Sequence, residues 1–457
     1  MSAIGPMKKV SGWVIILTIL IIASVIAGCA QTPPASPPEE PASETGGETA
    51  PEAGEGQETG SQTPVTIDLW TEFTAGGEAT GIEELINTWN SKNNGITINH
   101  RPIGNEEFFT VVRTGLAGGE PPDLLQFEGY QQTRDFAAAG QLMDLTDVWN
   151  KHKDRFALQE AGEYSCTYED GVYCLPYTFL TGWQIYYNPN ILTEHNIEVP
   201  TTMEEFLAAA ETLKAAGVTP IALGNKDGWP GEHWWMAFLV QRCGVDKVYQ
   251  AIRGEGASFT DECFVQSAAD LKNLADSGYL SLGAVSDDYG TAQAVFLSGQ
   301  AAFFQTGSWF ASGWEQDPPP FEVGIMPFPR WEDTEFTGDV IGAVTHTFGI
   351  PANSDARDAA LQVLEWLASD EAAEIWAKNG NSVMVAGAVE AAAPQVIKDI
   401  WAKVQEADDS LPWIENELPP GVGEDKVYNG TVALIGGTMT PEEFVQSIQD
   451  ALEEARQ

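Results

Sequence analysis

The chain has 457 residues and sets 67 acidic against 22 basic side chains, a formal charge of −45. That balance excludes nucleic acid as a partner and opposes adsorption to an anionic lipid surface. Residues 65–457 exceed the ~100–200 residues usual for one domain, so two lobes are expected.

The N-terminus reads as a targeting segment. Lys8 and Lys9 precede an apolar stretch from Trp13 to Ala27, and Ile26-Ala27-Gly28-Cys29 has the lipobox order of a branched apolar residue, two small residues and cysteine. Roughly 15 apolar residues fall short of the ~20 that span a bilayer. Residues 1–28 are therefore expected to be a lipoprotein signal peptide, leaving an acylated Cys29 to hold the protein on the extracytoplasmic face of the membrane. Residues 29–64 are rich in Pro, Glu, Gly, Thr and Ser, with almost no large apolar side chain. Such a segment buries too little surface to offset its conformational entropy and serves as a tether, with a reach of roughly 30–35 Å.

The folded part opens with alternation in Val65-Thr66-Ile67-Asp68-Leu69-Trp70. A helical spacing of Ile82, Leu85, Ile86 and Trp89 follows, and then a second strand over 96–101. Strand, helix, strand predicts a parallel βαβ unit. Thr201 and Thr202 stand in capping-box spacing to Glu204 and Glu205, opening a helix that turns Phe206, Ala209 and Leu213 inward and stops at Gly217. Further helices are predicted over 355–368, 371–378 and 441–456, which makes the fold α/β.

Besides Cys29 there are four cysteines in a compartment that permits disulfides. Cys166 to Cys174 reads CTYEDGVYC; a three-residue turn at Glu169-Asp170-Gly171 sets the two cysteines opposite one another. Cys243 and Cys263 then pair by default. Loop closure gives roughly 2.6 and 3.3 kcal/mol for the two bridges. No Cys or His spacing fits a metal site.

Several stretches together resemble family 1 of the extracellular solute-binding proteins, the sugar-binding subunits of ATP-binding-cassette (ABC) importers. In chain order they are LAGGEPPDL (116–124), AGQLMDLT (139–146), Leu175-Pro176-Tyr177 with IYYN (185–188), FLSGQAAF (296–303) with Gly307-Ser308-Trp309, and Phe348-Gly349-Ile350-Pro351 leading to Trp366-Leu367. The resemblance implies a two-lobe, periplasmic-binding-protein-like fold with discontinuous lobes joined by a hinge: 65–180 with 340–387, and 181–339 with 388–457. Chain crossings are then expected near Tyr177–Gly182, Gly338–Ala343 and Val385–Glu390. It also implies a carbohydrate ligand, permease subunits as partners, a monomer, and no metal or organic cofactor. The stretch PIALGNKDGWP (220–230) points toward binders of short oligosaccharides of the raffinose or isomaltose type.

A sugar shows C–H patches on its ring faces and hydroxyls around its rim, so its site needs aromatic faces and planar polar groups. Of the 15 Trp, several sit in polar, Gly-rich surroundings. Trp70 and Glu72 end the first strand, and Glu128 and Tyr130 follow the third, at the carboxyl edge where open α/β sheets bind ligands. Trp183, Asp227, Trp229, Trp309 and Asp339 complete the candidate set. Trp89, Trp149, Trp366 and Trp376 lie in helical patterns and are assigned to the core. Of the adjacent pair Trp234 and Trp235, at most one is expected to face a ligand. There is no GxSxG, HExxH or P-loop. A lipid-anchored glycosidase and a sugar receptor for signalling are the competing functions.

Overall fold

The computed structural model describes residues 64–336, 339–407, 409–419 and 421–457. The expected signal peptide, Cys29 and the tether up to residue 63 lie outside the described residues. No described helix is long and apolar enough to cross a membrane.

The strands are β1 (Val65–Thr71), β2 (Ile96–Pro102), β3 (Leu124–Phe127), β4 (Thr167–Tyr168), β5 (Gly171–Val172), β6 (Leu175–Thr181), β7 (Gln184–Tyr187), β8 (Thr219–Ile221), β9 (Ala301–Gln305), β10 (Gly324–Pro327), β11 (Asp339–Gly349) and β12 (Asp409–Leu411). One sheet runs β12-β11-β3-β1-β2, with β6 also paired to β11; a second runs β10-β7-β9-β8. β1 is parallel to β2 and β3, as the βαβ pattern requires, while β11 runs antiparallel to β3 and β6.

In β1, Ile67 and Leu69 are buried while Thr66 and Asp68 face water. The helix Gly76–Ser91 buries Ile82, Leu85 and Trp89. Gly81 lets it approach Trp376: a Cβ there would stand 2.8 Å from the indole. In the second lobe, Thr202 and Glu205 form the predicted capping box on the helix Met203–Ala215, and Phe206, Ala209 and Leu213 are buried. The helix Trp229–Cys243 is buried at every residue except Trp229 and Arg242, and it packs against Glu262–Asp276 and Asn429–Ile435. Trp234 meets Phe206 and Phe328, and Trp235 meets Phe444 while donating to Ser267, so both indoles are core. Trp89, Trp149 and Trp376 are buried as expected, whereas Trp366 is half-buried, with Lys92 over its ring.

The described chain passes between the sheets at three places: from β6 to β7, from β10 to β11, and after β12. The last differs from the crossing expected near 385–390. Residues 388–405 stay with the first sheet because Ile397, Ile400, Trp401 and Val404 form an apolar stripe that needs cover. It is met by β6, where Phe179 lies edge-on to Trp401 at 6.0 Å.

Both predicted disulfides are present. The hairpin closes more tightly than its sequence suggests: Thr167 pairs with Val172 and Tyr168 with Gly171, a two-residue loop in which Glu169 takes φ +49°. Cys166 therefore ends the helix Gln159–Cys166 and lies opposite Tyr173, not Cys174, and its Cα is 5.0 Å from that of Cys174. Cys243–Cys263 ties the end of the central second-lobe helix to the start of its neighbour. Replacing Cys243 and Cys263 together by Ser should lower unfolding free energy by about 3 kcal/mol, read from denaturant midpoints. An unchanged midpoint would show that packing alone fixes this corner.

Candidate functional site

β1 and β3 are parallel neighbours, so the residues just beyond them emerge side by side at the carboxyl edge of the sheet. Glu72 is one of these. Its backbone N–H donates to Gln126 Oε1 and its Oε1 accepts from Gln126 Nε2, both at 3.0 Å. His346 of β11 places Nε2 3.2 Å from Glu72 and Nδ1 3.6 Å from Glu78. Burial alone would lower the imidazole pKa, but the two carboxylates outweigh it and raise it. Glu128 is the counterpart beyond β3. Burial, then the charges of Glu72 and Glu415, push its carboxyl well above the usual range, partly offset by Asn416.

The opposing wall is the first turn of the helix Trp229–Cys243. Trp229, Glu232 and His233 stand at i, i+3 and i+4, on one face. Gly228 opens the turn with φ +88°, and a Cβ there would stand 2.4 Å from Tyr428 Cβ, so only glycine lets the loop close on the Tyr428 backbone. Glu232 is fully buried, with the Ile414 backbone and the Glu415 carboxyl as its polar neighbours. Burial raises its pKa well above normal, and Glu415 and Glu128 add to the rise. Its carboxyl faces that of Glu415, which accepts from the Tyr428 hydroxyl at 3.0 Å and is also shifted up by burial. His233 Nε2 lies 3.8 Å from Glu232. Burial pulls the His233 pKa down to about 3, so the ring is neutral and forms no ion pair.

Around these carboxyls stands an aromatic wall. His233 stacks on Trp413 with centroids 4.2 Å apart. Trp309 is edge-on to both Trp413 and Trp229, each at 5.9 Å, and Trp229 lies 4.8 Å from Tyr289. The indoles are held from behind: Trp309 Nε1 donates to the Tyr289 hydroxyl at 3.2 Å and Trp413 Nε1 to Thr345 Oγ1 at 3.1 Å. Trp229 and Trp309 are half-buried, which leaves ring surface free, whereas Trp413 is 3 % exposed.

Of the sequence candidates, Glu72, Glu128, Trp229 and Trp309 are thus brought to one place. Trp183 lies at the β6–β7 passage, buried, with Nε1 lacking a partner. Trp70 is not joined to them: its ring sits under the Arg101 guanidinium at 4.6 Å and against Gly115 of the helix Asn105–Gly118. Tyr130 is buried in a left-handed backbone conformation, φ +58°, and its hydroxyl accepts from Val344 N–H at 3.2 Å, a structural use of that group. Asp227 forms the turn before Gly228. Asp339 opens β11, and its side chain lies outside the described residues.

A separate surface depression on the helix Gly76–Ser91, lined by Thr80, Glu83, Glu84, Asn87 and Asn379, offers no aromatic face.

The family described as bacterial extracellular solute-binding protein matches residues 75–374. The chain belongs to this family. Among relatives, an ABC transporter extracellular-binding protein of Pyrococcus horikoshii is 26% identical over 68% of this chain and 72% of its own length. The Multiple sugar-binding protein of Streptococcus mutans is also 26% identical, over 61% of this chain and 66% of its own. A solved structure from work on xylan utilization by Caldanaerobius polysaccharolyticus superposes with a TM-score of 0.78 at 24% identity, covering 84% of this chain and 99% of that one. It shows the same two-lobe fold.

For a solute-binding protein the cleft chemistry has a consequence for stability. Glu78, Glu128, Glu232, Glu415 and Glu417 all hold their protons more tightly when folded, burial being the leading cause in each. Unfolding releases those protons, so stability must fall as pH rises from the unfolded carboxyl value of ~4.3 through the raised folded values. His346 acts in the same direction: its contribution is full below ~6.5 and lost as pH passes its raised folded value. Three histidines whose protonation burial disfavours, His233, His100 and His152, oppose this: they take up protons on unfolding below ~6.5, so their terms make stability rise with pH up to that value. The denaturation midpoint should accordingly be higher at pH 5 than at pH 7.5. Glu232→Gln should flatten the slope and add about 1–3 kcal/mol at pH 7.5. A midpoint that rises toward pH 7.5 would show these carboxyls to be solvated.

Proposed function

We propose that this protein is the extracytoplasmic substrate-binding component of an ABC importer, capturing a carbohydrate in the interlobe cleft and delivering it to the permease. The observation that carries the reading is the joint lining: half-buried indoles of Trp229 and Trp309 beside buried carboxyls from both lobes. Indole faces stack on sugar C–H patches, and carboxylates accept from paired hydroxyls. Family membership supports it, as do the name of the Streptococcus mutans relative and a similar fold solved with raffinose bound. We assign residues 65–180 and about 340–411 to the first lobe, the remainder of the folded chain to the second, and closure to the three passages between them.

The direct test is a thermal-shift screen of the full-length chain against a carbohydrate panel. A ligand at 100 times its Kd should add about 2.7 kcal/mol to the folded state. Trp229→Ala or Trp309→Ala should weaken binding by about 1–3 kcal/mol, with partial recovery by Phe. Trp413→Ala should instead cost mainly folding stability, about 3–5 kcal/mol, because its ring is buried. Sugars recovered shortened after incubation would favour a glycosidase and remove the transport reading. Unchanged affinity in both Trp229→Ala and Trp309→Ala would take the indole wall out of the site.

The lipobox supports anchoring through Cys29. Cys29→Ser should move the protein from the membrane fraction to the soluble fraction of its host. Retention in the membrane would remove the lipid anchor.

A further inference from the structure

The helix Trp229–Cys243 carries the second-lobe side of the aromatic wall, yet it cannot cap its own first turn. Gly228, at the N-cap, has no side chain to accept a hydrogen bond, and Pro230 has no N–H. The cap comes instead from Asn225, three residues before Gly228: its Oδ1 accepts from Gly231 N–H at 2.6 Å. Only glycine leaves room for it, because a Cβ on Gly231 would stand 2.6 Å from the Asn225 amide nitrogen. The Asn225 backbone is fixed as well, its N–H donating to the Ala284 carbonyl at 2.6 Å and its carbonyl accepting from Gly228 N–H at 3.2 Å.

The side chain of Asn225 is held from a segment 206 residues away, where its Nδ2 donates to Thr431 Oγ1 at 3.2 Å. Thr431 lies in the helix Asn429–Ile435, and its hydroxyl is 2.9 Å from the carbonyls of both Gly228 and Tyr428. One hydroxyl thus joins the turn that bears Trp229 to the residue whose phenol reaches Glu415. Asn225 and Thr431 are both fully buried. Two apolar side chains of similar shape would fill that space at less cost. What the polar pair adds is direction, since a hydrogen bond fixes donor to acceptor where an apolar contact tolerates sliding. The group so directed is Trp229, the first residue of the helix, set 4.8 Å from Tyr289 and 5.9 Å from Trp309. Further along the same helix Trp235 has its own buried bond to Ser267 at 2.9 Å, which serves the core alone.

Resting on the sugar-binding reading, we propose that Asn225 and Thr431 are positioning residues for the ligand: they touch no sugar themselves and set the Trp229 ring at the angle at which it stacks on one. The C-terminal helix Asn429–Ile435 thereby takes part in recognition through a buried hydrogen-bond node and not through the cleft surface.

The test is calorimetry of the full-length chain with raffinose, xylotriose, maltotriose and the N-acetylglucosamine trimer, every variant being measured on whichever of these the unmodified chain binds most tightly. Thr431→Val keeps the shape of the side chain and removes the hydroxyl; it should weaken binding about fivefold or more. Thr431→Ser returns the hydroxyl and should bring affinity back to within about twofold of the unmodified chain. In a Trp229→Ala background Thr431→Val should add less than about twofold, because its effect runs through that ring. Ser267→Ala is the control for a merely structural bond in the same helix: it should lower the melting temperature and leave affinity within about twofold. Unchanged affinity in Thr431→Val overturns the proposal, as does an undiminished loss in the Trp229→Ala background. Where the valine variant does not fold, Asn225→Asp takes its place, since it keeps the acceptor for Gly231 and loses the donor to Thr431. Amide exchange on the unmodified chain needs no variant: Gly231 N–H should be protected, and exchange within the dead time of labelling would show the node open and end the proposal. Silence across the sugar panel removes the sugar-binding reading and this proposal together, whereas binding that Thr431→Val leaves untouched removes the node alone.

Discussion

A carboxyl group cut off from water and without a cation is costly to ionise, and this fold holds Glu232 in that setting, its pKa raised by burial. The surrounding architecture keeps it there. It sits in the first turn of the most enclosed helix of the second lobe, where the helix dipole favours negative charge but does not neutralise it. That helix cannot rotate to expose the group, because Trp234 and Trp235, one and two residues beyond His233, are fixed among Phe206, Phe328 and Phe444. The adjacent aromatic pair thus acts on the site by orienting its neighbours, not by touching a ligand.

The lobes meet around this group through contacts of ordinary strength. Arg134 and the Tyr164 hydroxyl, on first-lobe helices, reach Glu417 at 3.5 and 3.1 Å. Arg113 reaches Glu424 at 3.5 Å, and Gly77 N–H donates to Ser312 Oγ at 3.2 Å. The Arg113–Glu424 pair is half-exposed and contributes little. The carboxyl cluster between the lobes repels itself when ionised. The favourable term for a closed arrangement is therefore what the cleft encloses, as in binding proteins whose lobes are closed by ligand.

What the sequence disclosed follows from the range of the interactions involved. Capping at Thr202 and Glu205, the alternation in β1 and the stripe Ile82, Leu85, Trp89 are local, and each was legible from neighbours within a few residues. The carboxyl-edge positions of Glu72 and Glu128 were legible too, because a parallel βαβ unit dictates where its strands end. Trp413, Glu415 and Tyr428 were not, since their meeting with Glu232 and His233 spans some two hundred positions of sequence and depends on where the chain last leaves the first sheet. The run His233-Trp234-Trp235 hid its role because three aromatic residues in a row lack periodicity. Only the packing of the last two on Phe206, Phe328 and Phe444 shows that His233 is the one turned to Trp413. Trp70 misled for the reverse reason: a strand-end indole at a carboxyl edge has the right address, but the strand's alternation turned it toward Gly115 and Arg101.

The location of the last passage decides the chemistry of the cleft. β12 lies parallel to β11 over Asp409–Leu411, so the segment Trp413–Glu417 leaves directly from the seam between the lobes. Had the chain crossed near 385–390, the apolar stripe of residues 395–405 would have lost Phe179, and Trp413 would not be delivered to Thr345 of β11. Because it crosses after β12, one short segment supplies the indole on which His233 stacks, a carboxyl facing Glu232 and the amide beside Glu128. The wall and the charge of the cleft are consequently set by a single connection. A one-residue insertion or deletion between β12 and Trp413 displaces Trp413 and Glu415 together, on both counts at once.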